Sequence, residues 1–230
     1  VAKAGQDLPS SAFTGSARAG AEVGDQVLDE RVLDLFLDGN TVVLQGLHRC
    51  WPPLIAFAGR LAAEIGHPVG VNAYLTPAHG QGFSAHYDVH DVFVLQLAGE
   101  KRWLVHAPVQ PAPLSDQPWT RHRAAVLAAS RGAPAIDVVL RPGDALYLPR
   151  GYLHAANALG QLTAHLTVGV HALTRYTLVE ALAEMAADEP ELRLSLPLGV
   201  DAADPGQLDA DLAATVDALV ARLRRADPAQ

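Results

Sequence analysis

Cysteine is nearly absent: Cys50 is the only one in 230 residues. A lone cysteine excludes an intrachain disulfide, and a reducing compartment, the cytoplasm, is expected. Half of the residues are hydrophobic, yet no run approaches the ~18 to 20 apolar residues a membrane span needs, so no membrane partner is expected. No charged-then-apolar stretch opens the chain, which argues against a secretory signal. No Met stands first, so the sequence is expected to be an excised portion or a set of ordered segments. The formal net charge is −8. That sign argues against a general binder of phosphate backbones, and no direct nucleic-acid binding is expected; a basic protein partner fits better.

The length suits one domain with a full core plus an appended piece. Residues 1–24, rich in Ala, Gly and Ser, read as mostly irregular, with room for one short strand. Apolar residues at helical spacing predict a helix over 25–37, stopped by Asp38-Gly39-Asn40. The β-branched run from Thr41 predicts a short strand, and residues 53–65 a second helix that opens on proline and ends at Gly66. From Pro68 the texture changes. Short apolar or alternating runs over 69–76, 82–88, 92–97, 102–106, 135–140, 145–148, 153–156 and 163–171 are separated by Pro and Gly. About eight strands at this spacing predict a barrel or jelly roll. Residues 108–130 form a long connection with room for one helical turn. Helical periodicity returns over 175–187 and 205–224, where Leu208, Leu212, Val216, Leu219, Val220 and Leu223 make one stripe that must be buried against something.

The chemistry concentrates in residues 82–101. If 82–88 is a strand, His86 and Asp88 point to the same face, with Tyr87 between them facing away. Short motifs recur by chance, and on its own a His-x-Asp is as well read as a structural pair. A second imidazole would change the balance. His154, 66 residues after Asp88, follows the strand at 145–148 and the turn Pro149-Arg150-Gly151. Two imidazoles and a carboxylate leave coordination positions open and suit non-haem Fe(II). His90 shares the face of His86 and Asp88 but stands farther along it. His165 lies in the last strand, either as a hydrogen-bond donor behind the site or as a satisfied core histidine. His48, His67, His79, His106, His122 and His171 read as solvated or structural, and Trp103 and Phe93 as core.

Taken together, His86-Tyr87-Asp88, the run Asp91 to Leu97, Gly99-Glu100-Lys101 and Pro149-Arg150-Gly151-Tyr152-Leu153-His154 resemble the JmjC/cupin-type ribosomal oxygenases, which are Fe(II)- and 2-oxoglutarate-dependent protein hydroxylases. The resemblance spans roughly residues 38–171. It implies a mainly β fold with flanking helices: a double-stranded β-helix (jelly-roll, cupin or JmjC-like barrel) over residues 1–174, then a helical dimerisation segment over 175–230. It implies that His86, Asp88 and His154 are the catalytic iron ligands. Lys101, 15 residues after His86, would hold the far carboxylate of 2-oxoglutarate, and Asn72 and Tyr74 would line the co-substrate pocket. Family members often carry a small hydroxyl residue late in the last strand, where this chain has Gly169. The substrate so implied is a protein, such as a ribosomal protein, and the assembly a homodimer. A winged-helix module, common after these helices, has no room before the last residue. From the residues alone, two other readings stay open: a cupin-like metalloenzyme that does not use 2-oxoglutarate, and a non-catalytic metal-binding scaffold.

Overall fold

The structure, a computed structural model, describes residues 1–3, 6–16, 24–78, 80, 84–201 and 203–225. The chain divides into two compact units, Val1–Ala172 and Leu173–Gln230.

The first unit opens with two small hairpins, β1 (Ala2–Lys3) with β2 (Gln6–Asp7), and β3 (Thr14–Gly15) with β4 (Gln26–Val27). Then follow α1 (Asp29–Leu37), β5 (Val42–Leu44), α2 (Pro52–Ile65), β6 (Val69–Thr76), β7 (Asp91–Ala98) and β8 (Lys101–His106). After a long connection holding α3 (Arg123–Ala129) come β9 (Ile136–Leu140), β10 (Ala145–Leu148), β11 (Leu153–Ala158) and β12 (Thr163–Val170). The strands form a five-stranded sheet in the order β10-β7-β12-β6-β5 and a three-stranded sheet in the order β11-β8-β9, with every pairing antiparallel. One apolar cluster takes Val92, Val94 and Leu148 from the first sheet and Trp103, Val105, Leu140 and Ala156 from the second. The two sheets therefore face each other across a shared core, as a jelly roll requires.

Helix α2 covers the outer face of the larger sheet. Its prolines fall at the first helical positions, where a missing N–H costs nothing, and it ends at Gly66 in the left-handed conformation (φ 70°). Leu54 and Ala58 pack on Val71 and Val168, with Leu166 and Leu95 beside them. This packing sets the facing of β12. Leu166 and Val168 go out to α2, so alternation sends His165, Thr167 and Gly169 inward, between the sheets.

Several expectations change. The helix expected over 25–37 begins at Asp29, because Gln26–Val27 pair with Thr14–Gly15. Gly82 and Phe83 lie outside the described residues, and residues 84–88 do not form the expected strand: His86 makes a single bridge to His154 and its neighbours are unpaired. The connection over 108–130 carries more helix than one turn, a 3-10 turn at Trp119–His122 running into α3. Phe93 is not core. It is 38% exposed, on the outer face of β7, where its ring meets that of Tyr147.

The second unit holds α4 (Arg175–Ala186) and α5 (Pro205–Arg224). Thr174 and Thr177 form a reciprocal cap at the start of α4, and Asp204 caps α5 through Gly206 N–H. An ion pair from Arg225 to Glu189 (3.0 Å) ties the end of α5 to the segment after α4. Leu212, Val216 and Val220 of the α5 stripe stay exposed in the single chain. No described helix is long and apolar enough to cross a membrane.

Candidate metal centre and its cavity

The ligand atoms of His86, Asp88 and His154 lie within 4.8 Å of one another, and among the described residues they are the group of this kind that could hold a metal ion. Two backbone bonds between His86 and His154 (3.2 and 2.8 Å) bring the imidazoles together, with ring centroids 4.4 Å apart. The tautomers follow from the partners. His86 Nδ1 lies 2.7 Å from Ser84 O and His154 Nδ1 lies 3.1 Å from Tyr152 O. A carbonyl can only accept, so in each neutral ring the proton sits on Nδ1 and the lone pair on Nε2, as metal binding needs. His154 Nε2 stands 3.6 Å from Asp88 Oδ2. Burial above all, then the neighbouring His86, holds the imidazole of His154 well below its usual range, outweighing the pull of Asp88. The contact is therefore a neutral imidazole beside a carboxylate rather than an ion pair.

The long connection holds these ligands from behind. Tyr87, pointing away from the metal face, is buried with Val126 and Leu153, and its hydroxyl donates to Gln117 O at 3.0 Å. Gly151 N–H donates to Asp88 O at 3.0 Å. Gly151 has φ 88°, and a Cβ there would stand 2.4 Å from Gln110 O, so the turn before His154 accepts glycine alone. Arg150 joins the same strap, with its N–H on Asp91 and its guanidinium on Pro113 O.

The triad opens on a cavity of about 440 Å³ between the two sheets. Tyr74, His165, Thr167, Val92, Val94 and Leu148 line it from the larger sheet, and Lys101, Trp103 and Ala156 from the smaller. Asp7 and Thr120, both exposed, mark its open side, with Trp119 beside them. Strand β8 alternates Lys101, Trp103 and Val105 inward and Arg102 outward, where Arg102 pairs with Asp137. Lys101 is thus buried like a core residue, at 2% exposure, and burial brings its ammonium down to about 8. No carboxylate pairs with it among the described residues. A buried ammonium without an anion costs stability, and a carboxylate entering the cavity would offset that cost.

The remaining sequence candidates divide. Tyr74 lines the cavity, stacked on its cross-strand partner His165 at 4.9 Å. Burial raises the Tyr74 hydroxyl to about 12, and that hydroxyl bonds to Thr167. His165 also lines the cavity, with Nδ1 3.5 Å from Lys101 Nζ. Asn72 is not among the lining residues; its carbonyl oxygen accepts from Gly46 N–H at 2.9 Å. At Gly169 a Cβ would stand 2.8 Å from the His90 ring, so a side chain there requires that ring to move. The β12 hydroxyl that lines the cavity is Thr167, two residues earlier and missed in the sequence; its period-2 spacing from His165 was the available signal. His90 stacks on His171 at 4.9 Å and does not join the triad. His48 accepts from Val71 N–H, a structural role, and His106 is buried. Trp103 belongs to the core and also lines the cavity. His79 lies outside the described residues.

Comparison with known proteins points the same way. The family model for the JmjC domain matches residues 57–178, a little over half of the chain. The bifunctional lysine-specific demethylase and histidyl-hydroxylase NO66 of Drosophila persimilis is 38% identical over 140 residues, covering 57% of this chain and 19% of that protein. Ribosomal oxygenase 1 of Gallus gallus is 37% identical over 149 residues, covering 62% of this chain and 24% of that protein. The chain therefore spans about a fifth to a quarter of the length of these relatives. Among solved structures, the Escherichia coli ribosomal oxygenase YcfD in complex with cobalt and 2-oxoglutarate has a TM-score of 0.51 at 22% identity, covering 78% of this chain and 47% of that one. At that identity the likeness is one of fold.

Proposed function

Since the chain belongs to the JmjC-domain family, we propose that it is an Fe(II)- and 2-oxoglutarate-dependent oxygenase that hydroxylates a protein side chain, with a ribosomal protein as its substrate. One observation carries the reading: two imidazoles whose Nδ1 atoms face backbone carbonyls and one carboxylate meet in the same cavity as a buried lysine that no carboxylate pairs with among the described residues. The donor set fits a divalent iron, and the lysine fits the far end of a dicarboxylate. The relatives named ribosomal oxygenase, and the YcfD complex with cobalt and 2-oxoglutarate, support the same assignment.

In this reading His86 and His154 bind the metal through Nε2 and Asp88 through its carboxylate. Bound there, Fe(II) supplies the oxidation of an unactivated C–H bond by oxygen, coupled to oxidative decarboxylation of 2-oxoglutarate to succinate. Ser84 O and Tyr152 O keep both imidazoles in the binding tautomer. Lys101 fixes the co-substrate by its distal carboxylate, with Tyr74 and His165 beside it, while Val92, Val94 and Leu148 keep that wall of the cavity apolar. The target side chain enters on the open side, past Asp7, Thr120 and Trp119. Residues 1–174 make the site-bearing domain, and residues 175–230 the dimerisation segment, whose exposed Leu212, Val216 and Val220 would be covered by a second copy. The cytoplasm is the compartment assigned to it.

The test is succinate formation in the presence of ribosomal proteins, with mass spectrometry for the gain of one oxygen. We expect turnover only with both Fe(II) and 2-oxoglutarate present. Turnover without 2-oxoglutarate would overturn the assignment.

A further inference from the structure

The ammonium of Lys101 has three N–H bonds to place. One donates to Thr76 Oγ1 at 3.3 Å. A second faces His165 Nδ1 at 3.5 Å. Burial holds that imidazole neutral, so Nδ1 can accept. The third has no acceptor among the described residues.

Thr76 is fully buried and does not line the cavity, so it touches Lys101 from behind. A hydroxyl that accepts must send its own proton elsewhere, and Thr41 Oγ1 is 3.1 Å away. Thr41 is buried as well. Paired backbone bonds with Ala2, 2.9 Å in each direction, pin it in place. A directed chain thus runs from Lys101 to Thr76 to Thr41, anchored on the N-terminal strand β1. Valine at residue 76 would have the same shape without the hydroxyl, so packing alone does not require threonine here. A lysine side chain has four flexible methylenes, and a fixed acceptor behind it is what sets its direction.

We propose that Thr76, backed by Thr41, is the positioning residue for Lys101: it aims the remaining N–H of the ammonium at the far carboxylate of the keto acid. The inference rests on the cavity being a 2-oxoglutarate site, and it assigns Thr76 no contact with the ligand.

The chain has two lysines, Lys3 and Lys101, so carbon-13 labelling at lysine Cε gives two signals, and the titration midpoint of Lys101 can be read directly on the full chain. In the metal-free protein Thr76→Val lowers that midpoint by roughly one pH unit, because a hydrogen bond to the charged form is lost. With Mn(II) bound, the dissociation constant for 2-oxoglutarate measured by calorimetry rises roughly tenfold. In turnover the change falls on KM for 2-oxoglutarate more than on kcat. Thr76→Ser restores midpoint and affinity, and Thr41→Val shifts both in the same direction by less. A Thr76→Val protein that melts normally and keeps the wild-type midpoint and dissociation constant overturns the proposal. So does a well-folded Thr76→Ser protein that restores neither. If the wild-type lysine ignores 2-oxoglutarate while its midpoint still responds to Thr76→Val, the co-substrate assignment falls and the positioning role stands.

Discussion

The two ends of the cavity are built in opposite ways. At the metal end, His86 and Asp88 come from an irregular segment, and His154 opens a strand that meets it through one bridge. Carbonyls from the same segments set the tautomers, and the long connection clamps the backbone from behind. Asp88 remains partly open, with 32% of its side chain exposed. At the lysine end, Lys101, Thr76 and His165 stand on the regular strands β8, β6 and β12, nearly sealed from solvent. The first arrangement places lone pairs where an ion can reach them. The second keeps a charge in a poor solvent until an anion arrives. Local chain geometry and one tertiary bridge do the first job, and only burial between two sheets does the second.

The comparison can be broken from either end. The largest effect belongs to the metal. His86→Ala or Asp88→Ala should reduce succinate formation to background while changing stability by no more than about 1 kcal/mol, since the core is built by other residues. Denaturant unfolding beside the assay separates loss of site from loss of fold. Next comes Lys101→Ala, which removes a charge-assisted contact of ~1.5 to 3 kcal/mol and should raise KM for 2-oxoglutarate by roughly 10- to 100-fold. Steady-state kinetics at saturating Fe(II) measure it, and an unchanged KM would remove the lysine from the site. Gly151→Ala forces a Cβ toward Gln110 O at positive φ and should cost about 1 to 3 kcal/mol of stability, with weaker metal binding because the turn carries both Asp88 O and His154.

The smallest effect is that of pH on the metal-free chain. Burial lowers His154 from its ordinary 6.5, so the folded state prefers the neutral ring more than the unfolded chain does. The stability this contributes is present above 6.5 and is lost as pH falls from there toward the lowered folded value. Protons compete with the metal for the same lone pair, so metal affinity should fall in the same direction. Thermal melts with and without Mn(II) across pH 5 to 8 check both, and flat curves would contradict a neutral, metal-ligating His154.

Much of the β unit was legible because periodicity is a local property. Strands 69–76 and 145–148 and the helix over 205–224 stand at the boundaries read from the residues. The His86–Asp88 pair was legible for a different reason, its i, i+2 spacing, although the segment that carries it is irregular and bridges His154 at His86 alone. Phe93 was misread because hydrophobicity does not tell which face of a strand is covered. Asn72 and Tyr74 share a face, but only the packed structure shows that Asn72 is occupied by the Gly46 backbone while Tyr74 reaches the cavity. Thr167 went unnoticed because its role depends on the hydroxyl of Tyr74, on the neighbouring strand, reaching it.

By itself, then, the order of residues determined the His86–Asp88 pair and roughly where strands and helices would run, since both depend on neighbours a few positions apart; His154, 66 residues after Asp88, joins them only through its bridge to His86. What tertiary structure alone decided was the state of the side chains around the cavity: a lysine sealed between two sheets, a histidine held neutral, a hydroxyl behind the lysine. Burial and partnership come from residues distant in the chain, and no local pattern records them.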